Sequence, residues 1–263
     1  MNKLFVIKIG GNVIDNSENL YEFLRNFAAL PGEKILIHGG GKVATKISRD
    51  MGIEPKLVDG RRITDIQTLQ VVTMVYAGLI NKNIVAQLQA HGCNAIGLTG
   101  ADGNMIRARK RPVKEIDYGY AGDIHEGSVA SHNIHRLIEA GFIPVFSAIT
   151  HDGHSQLLNT NADTIASALA VAMSSLYETH LIYCFEKKGV LRDVTDEQSV
   201  ISKINSEEYN ALKAESVITE GMIPKLDNAF NAINAGVASV MIGDAKDLDQ
   251  LSVSEAFGTQ LIL

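Results

Sequence analysis

Two apolar runs that end in glycine decide the fold: LFVIKIGG at residues 4–11 and KILIHGGGK at residues 34–42. Short β-branched runs of this kind predict buried strands, here at residues 4–9 and 34–37. Between them, Leu and Phe recur at helical spacing over residues 19–30, which predicts an amphipathic helix. Strand, helix, strand and glycine turn together make a βαβ unit.

The same alternation of strand and helix continues along the chain, which predicts an α/β fold with a largely parallel, doubly wound sheet and right-handed crossovers. Residues 113–124 are the exception, because short runs around Tyr118-Gly119-Tyr120 predict an inserted antiparallel hairpin that could form a lid. Further strands are predicted at residues 94–98, 143–149, 181–185 and 238–242, and helices at residues 66–91, 133–140, 162–175 and 225–235.

Composition excludes several classes of protein. With 263 residues, 46% of them hydrophobic and 21% charged, the chain can bury a core as one large domain or two lobes. Low aromatic content (6%, no Trp) and a net charge of −6 disfavour binding to nucleic acid or an anionic membrane. The amino-terminal apolar run is too short for a signal peptide, and Cys93 and Cys184 form no CxxC pair, so we expect a cytoplasmic protein.

Lys8 lies inside the first apolar strand, directly before Gly10-Gly11, at the edge where open α/β sheets bind ligands. It could face a phosphate group, or its ammonium group could simply reach water from the strand end. Gly39-Gly40-Gly41-Lys42 predicts an anion-binding turn at a helix amino terminus, although a tight turn without ligand has the same pattern. Its spacing matches neither GxGxxG nor GxxxxGK[ST].

Arg61 and Arg62 stand in a loop ahead of a helix, where they could bind a carboxylate bidentately or form surface salt bridges. Asn159, Asn161 and Asp163 would point to one side of an extended segment and fix a polar ligand there. Their alternative role is local capping of the following helix.

Lys225 begins a predicted helix, where the helix dipole repels a cation. An anionic ligand would resolve that conflict, whereas a solvated lysine would cost little.

In this order and spacing, six segments resemble the amino acid kinase family, and within it the branch that acts on N-acylglutamates. The resemblance implies an open αβα sandwich with a largely parallel central sheet and an inserted hairpin lid. It also implies an acylglutamate-binding lobe at residues 1–173 and an ATP-binding lobe at residues 174–263, sharing one continuous sheet. The matching segments are residues 8–11, 38–41, 60–65, 97–103, 158–163 and 221–225.

The activity that the resemblance implies is ATP-dependent phosphorylation of the side-chain carboxylate of N-acetyl-L-glutamate, giving N-acetylglutamyl 5-phosphate in arginine biosynthesis. Magnesium would accompany the nucleotide and be held mostly by phosphate oxygens and water, so no protein ligand is assigned to it. The nucleophile is already an ionised carboxylate, so no general base is required.

Residue roles follow from the same resemblance. Lys8 and Lys225 would stabilise the transferring phosphoryl group, and Asp163 would hold both ammonium groups in place. The resemblance also assigns substrate binding to Gly40, Gly41, Arg62 and Asn159, phosphate binding or support to Gly10, Gly11 and Asn161, and nucleotide binding to Glu186, Lys187, Lys188, Gly189, Val190, Leu191, Val217, Ile218 and Thr219.

One segment departs from the family pattern: Phe185-Glu186-Lys187-Lys188-Gly189 stands where an Asp-Val-x-Gly turn is usual. The two lysines could form a solvated loop or add phosphate contacts. Alternative functions are a carbamate, glutamate or uridylate kinase, and a non-catalytic nucleotide-binding regulator.

Two details of the expected enzyme concern its acyl group and its assembly. N-succinylglutamate is an alternative substrate, because Arg61 and Lys114 are spare cations for a second carboxylate.

Arginine-inhibited hexamers of this family carry an extra amino-terminal helix, and here the first strand begins at Leu4. We therefore expect a homodimer that is insensitive to arginine.

Overall fold

The computed structural model describes residues 1–58, 60–215, 217–218, 222–253 and 257–262. Its strands are β1 (Lys3–Ile9), β2 (Glu33–His38), β3 (Leu57–Val58), β4 (Arg61–Arg62), β5 (Ala95–Leu98), β6 (Arg109–Lys110), β7 (Ala121–Asp123), β8 (Ile143–Ser147), β9 (Ile149–His151), β10 (Leu157–Thr160), β11 (Glu178–Phe185), β12 (Lys203–Ile204), β13 (Ser239–Asp244) and β14 (Thr259–Leu261).

The helices alternate with these strands along the chain. In order they are α1 (Gly11–Asp15), α2 (Ser17–Ala29), α3 (Gly41–Asp50), α4 (Ile66–Thr73), α5 (Asn81–Ala90), α6 (Ser131–Glu139), α7 (Ala162–Met173), α8 (Ser206–Ala214), α9 (Ile223–Asn234) and α10 (Gln250–Val253).

The chain divides into two compact units, and the first combines Met1–Ile35 with Ala166–Leu263. Its strands follow the order β12-β14-β13-β11-β1. β1 pairs with β11 in parallel over its whole length, and β11 pairs in parallel with β13, whereas β14 runs antiparallel to β13. These central strands read as almost continuous apolar runs because both of their faces are buried. Phe23, Leu24 and Phe27 of α2 belong to the buried core.

The second unit spans Leu36–Ile165. β2 pairs in parallel with β8, and β8 with β5, so this unit also has parallel strands. A separate sheet has the order β6-β7-β10-β9, and β3 and β4 form an antiparallel pair. The predicted α/β class with mostly parallel strands is therefore confirmed. The functional lobes predicted at residues 1–173 and 174–263 are a different division of the chain and stay a prediction.

The predicted strands and helices are present, and three boundaries differ from the expectation. The strand expected at residues 143–149 is interrupted at Ala148, so that β8 and β9 belong to different sheets. The helix expected at residues 66–91 contains a π-helical segment, Met74–Ile80, between α4 and α5.

The predicted hairpin at residues 113–124 exists with other boundaries. Its antiparallel strands are β6 and β7, so the first strand precedes the predicted range, and residues 111–120 form the connecting loop. Pro112 cannot donate a ladder hydrogen bond, and the Asp117 side chain accepts a hydrogen bond from the Gly119 amide, which favours a turn.

The helical stretch Ile66–Ala90 is long and apolar enough, by length and composition alone, to cross a membrane. About half of its most apolar window (44%) is buried inside the protein. Val72, Ile84 and Leu88 are fully buried on it. Because α5 also packs against β5 and β8, the stretch is a core helix of the second unit.

Candidate functional site

The second unit contains an open cavity of about 620 Å³, a size typical of small-molecule sites. Its lining comes from the glycine turn after β2, from α3, from β4 and from the end of β10. Four predicted substrate-binding residues line it together: Gly40, Gly41, Arg62 and Asn159.

Gly40 is the residue at which the chain turns from β2 into α3. Its φ is +147°, a conformation that side chains rarely adopt, and a Cβ atom there would collide with the Ile80 side chain and lie 3.2 Å from the Tyr76 ring. Only glycine therefore fits. α3 begins at Gly41, and Gly39, Gly40, Gly41 and Lys42 line the cavity, so the amino terminus of this helix lies at the cavity wall.

His38, the last residue of β2, stabilises this turn through hydrogen bonds of its ring. It is fully buried, its Nδ1 lies 2.9 Å from the Gly39 carbonyl oxygen, and the Asn81 amide donates to its Nε2 at 3.0 Å. Burial lowers the pKa of His38 from 6.5 to about 4, despite the hydrogen bond to Gly39. The ring is therefore neutral at physiological pH, with a proton on Nδ1 that it donates to Gly39.

Arg62 projects from β4 into the cavity. Its Nη2 donates to the Gly41 carbonyl at 2.9 Å and to the Thr45 hydroxyl at 2.8 Å, and both acceptors are uncharged. Its Nη1 is buried and has no hydrogen-bond partner among the described residues. A buried donor of this kind is costly unless a ligand acceptor completes it. The nearby Tyr76 hydroxyl is buried, and burial raises its pKa.

Asn159 is connected to the arginine strand through one hydroxyl. Its Nδ2 donates to Thr64 Oγ1 at 3.0 Å, and that hydroxyl donates to the Arg62 carbonyl at 3.1 Å. These bonds fix the orientation of the amide, whose oxygen can then accept a hydrogen bond from a ligand.

Asn161 and Asp163 do not continue an extended segment with Asn159, as the sequence suggested. β10 ends at Thr160, and Asn161 caps α7 by accepting hydrogen bonds from the amides of Asp163 and Thr164 at 2.8 and 3.1 Å. Asn161 therefore has the alternative role expected from the sequence, which is local capping of the following helix. Asp163 lies half-buried in the first turn of α7.

Arg111 also lines the cavity and was not found by sequence reasoning. Its guanidinium contacts both oxygens of Asp123, 12 positions away, with both Nε distances at 3.1 Å, and this partner raises the pKa of the arginine. Nothing in the local sequence marks this pair, because strand pairing brings it together. Of the two spare cations, Arg61 lines the cavity, and Lys114 is exposed outside it.

In the first unit, Lys8 and Lys225 lie on the same aromatic ring. The Lys8 Nζ is 5.0 Å from the centroid of Phe185, and the Lys225 Nζ is 3.8 Å from it. Lys8 is buried within β1, with 8% exposure, which contradicts the alternative that its ammonium group reaches water from the strand end. The structure thus brings together the two cations that the sequence singled out separately.

Gly10 and Gly11 follow β1. The Gly10 amide donates to the Cys184 carbonyl at 2.9 Å, so it continues the β1–β11 ladder, and its support is structural. Gly11 begins α1.

The predicted nucleotide-binding residues fall into an exposed and a buried set. Glu186, Lys187 and Lys188 are exposed, and Lys187 forms a 3.2 Å salt bridge with Glu197, as a solvated loop would. Gly189 is buried, and a Cβ atom there would lie 2.6 Å from the Thr259 hydroxyl. The buried set also contains Val190, Leu191 and Ile218. Val217 is half-buried, and Thr219 lies outside the described residues.

The sequence profile of the amino acid kinase family matches residues 3–244. The chain belongs to the amino acid kinase family. A protein from Cytophaga hutchinsonii named acetylglutamate kinase is 57% identical over 264 residues, which cover 100% of this chain and 99% of that relative. The family membership expected from the six segments is therefore confirmed.

Solved structures agree on the fold of this amino acid kinase. The crystal structure of smu.665 from Streptococcus mutans UA159 matches with a TM-score of 0.77 at 28% identity, covering 98% of both chains. Carbamate kinase from Giardia lamblia bound to AMP-PNP matches with a TM-score of 0.70 at 13% identity, covering 99% of this chain and 98% of that one. The second match shows a common fold alone.

The neutral His38 predicts an acid-sensitive fold. Unfolding releases the ring to a pKa near 6.5, so the unfolded state binds the extra proton, and stability falls as the pH drops from 6.5 to 4. Urea titrations should show a loss of about 3 kcal/mol over this window. Backbone hydrogen bonds lower the pKa values of Asp65 and Asp152. The contributions of these two carboxylates to the free energy of unfolding are therefore lost only below about pH 4.

The His38→Asn variant should lose most of this pH dependence, whereas His132→Asn, on the exposed side of α6, should keep it. An unchanged slope in His38→Asn would contradict the buried neutral ring.

Proposed function

We propose that this protein is an ATP-dependent kinase that phosphorylates the side-chain carboxylate of N-acetyl-L-glutamate, giving N-acetylglutamyl 5-phosphate in arginine biosynthesis. The full-length 57% identity to a protein named acetylglutamate kinase carries the choice of substrate. The buried, unsatisfied Nη1 of Arg62 in a cavity of small-molecule size supports it, because an amino-acid α-carboxylate is the partner that a guanidinium prefers.

Within the cavity, we assign the substrate as follows. Arg62 binds the α-carboxylate, using the nitrogen that has no protein partner. Asn159 offers its amide oxygen to the substrate N–H, since its nitrogen is used by Thr64. Gly40 and Gly41 bring backbone amides close to the reacting end, and position 40 accepts only glycine because a Cβ atom there would collide with the Ile80 side chain.

The chemistry we propose is electrostatic. An oxygen of the side-chain carboxylate attacks the γ-phosphorus of ATP, the bond to the β-phosphate oxygen breaks, and ADP leaves. Lys8 and Lys225 stabilise the negative charge on the transferring group, and the Gly11 amide contacts a phosphate oxygen. Gly10 supports this segment through strand pairing. Asp163 keeps the positioning role that the family resemblance assigns to it, and Asn161 supports Asp163 by capping α7.

Family membership implies ATP as the phosphoryl donor. We propose that residues 174–263 bind it, with the exposed turn Glu186-Lys187-Lys188 and the segment Val217-Ile218-Thr219 nearest the nucleotide. Gly189, Val190 and Leu191, which are buried, directly follow that turn. No cluster of three or more His, Cys, Asp or Glu side chains that could hold a metal occurs in the part of the chain that the structure describes. We propose that magnesium enters with the nucleotide, held mainly by phosphate oxygens and water.

Trapping of the acyl phosphate tests the reaction. With Mg-ATP, N-acetylglutamate and hydroxylamine, we expect a hydroxamate in stoichiometric relation to ADP. Lys8→Ala and Lys225→Ala should each lower kcat by about 10²–10⁴-fold, because each removes charge that matters most in the transition state. Lys46→Ala, an exposed lysine at the rim of the cavity, is the control and should stay within a few-fold of the parent.

Folded protein that binds ATP but yields no hydroxamate from any acceptor would favour the regulator alternative. A panel of carbamate, glutamate and uridylate separates the other kinase activities, because only the correct acceptor should give saturable ADP release.

The identity of the acyl group on the substrate is the most detailed part of the proposed specificity. We expect kcat/KM for N-acetylglutamate to exceed that for N-succinylglutamate, because a second carboxylate is costly to bury without a dedicated cation, and Arg111 is already paired with Asp123. A preference for succinyl of more than about a hundredfold, roughly 2.7 kcal/mol, would reverse this assignment. Arg61→Ala would then show whether Arg61, at the cavity wall, recognises the second carboxylate.

We also propose a cytoplasmic homodimer. Both cysteines are buried and outside any disulfide, as in a reducing compartment. Ile66, Met74 and Leu79 are about half exposed on one helical stretch, which offers an apolar contact surface. Light scattering should give twice the 28.4 kDa chain mass.

Leu79→Glu should shift the protein toward the monomer, and Val194→Glu, equally exposed in the other unit, should not. A hexamer, or a monomer at micromolar concentration, would contradict the proposal.

A further inference from the structure

Three separate elements converge on the ring of Phe185. Lys8 is the penultimate residue of β1, Lys225 lies in the first turn of α9, and Phe185 is the last residue of β11. The two ammonium nitrogens lie 5.0 and 3.8 Å from the ring centroid, both within the range of a cation–π interaction. Phe185 is also the first residue of the segment that departs from the Asp-Val-x-Gly turn usual in the family.

The ring is held in place by strand pairing. The parallel register sets Lys8 opposite Tyr183 and Ile9 opposite Cys184, and the Gly10 amide extends the ladder to the Cys184 carbonyl. Phe185 stacks on Tyr183, with centroids 6.2 Å apart and an interplanar angle of 11°. A Cβ atom on Gly10 would lie 3.4 Å from the Phe185 ring, so the ring is adjacent to the backbone that follows β1.

An aromatic ring suits this position for an electrostatic reason. The two nitrogens are at most about 9 Å apart, so their charges repel each other. The face of a phenyl ring attracts a cation through its quadrupole and carries no net charge. The ring can thus hold both ammonium groups without itself cancelling their charge.

We propose that Phe185 is a positioning residue that orients the ammonium groups of Lys8 and Lys225 for phosphoryl transfer. This inference rests on the function proposed above, and it adds a residue to which the family resemblance assigns no role. The ring touches neither substrate in this scheme. Its effect on the reaction passes through the two lysines.

Substitution at Phe185 tests this with a split between kcat and KM. Phe185→Leu keeps an apolar side chain but removes the quadrupole, so kcat should fall about 3- to 30-fold while KM for both substrates stays within about twofold. Phe185→Tyr should restore most of the loss. Phe5→Leu is the matched control, because Phe5 is a half-buried ring on β1 that contacts the His180 ring, and the kcat of this variant should not change.

Fluorinated phenylalanines at position 185 separate electrostatics from packing. Adding one, two and three fluorine atoms weakens the ring quadrupole stepwise and changes the ring size little. We expect log kcat to fall in proportion to the number of fluorine atoms. A flat series, or a rise in KM for ATP at constant kcat, would overturn the proposal and leave the ring with a packing or nucleotide-contact role.

A readout without turnover distinguishes this inference from the proposed function. In protein labelled with ¹³C-lysine, the ring current of Phe185 should shift the ε-methylene signals of Lys8 and Lys225 upfield, and the variants Lys8→Arg and Lys225→Arg assign them. Phe185→Leu should abolish both shifts, and Phe5→Leu should preserve them. Unshifted lysine signals would refute the positioning role, whereas shifted signals in a protein that forms no hydroxamate would refute the kinase function alone.

Discussion

The parallel register between β1 and β11 is the constraint on which the phosphoryl-transfer groups depend. It sets Lys8 opposite Tyr183, and the ladder ends two residues later at the Gly10 amide. A slip of one residue would turn Lys8 to the other face of its strand and away from Phe185. Because the two central strands are buried on both faces, such a slip would also move apolar side chains throughout the first unit. The packing of the core therefore fixes the register of β1 and, with it, the position of Lys8.

A second constraint of the same kind supports the cavity. β2 ends in His38, whose neutral ring joins the Gly39 carbonyl to the Asn81 amide inside the second unit. Gly40 then adopts a conformation open only to glycine, which presses the turn against the helical stretch that carries Ile80. The buried hydrogen bonds and the absent side chain together place the start of α3 beneath the cavity.

Particular residues show how far the sequence could be interpreted. Lys8, the triple glycine and Arg62 were recognisable because residues of unusual type interrupt an otherwise regular α/β pattern. Asn161 was expected beside Asn159 on an extended segment, but the strand ends between them, and the chain caps α7 instead. The strands of the inserted hairpin were displaced because pairing across the sheet, and not local alternation, selects Arg109–Lys110. Arg111 and Phe185 carried no local signal, since their partners are distant in the chain.

The sequence by itself determined the alternation of strand and helix, the family, and the residue types available for phosphate and carboxylate binding. These follow from local periodicity and from short motifs, which act over a few neighbouring residues. Only the tertiary structure decided which nitrogen of Arg62 stays unsatisfied, that Arg111 is neutralised by Asp123, and that two lysines lie on one ring. Those outcomes depend on strand register and burial, because both are set by packing between segments that are far apart along the chain.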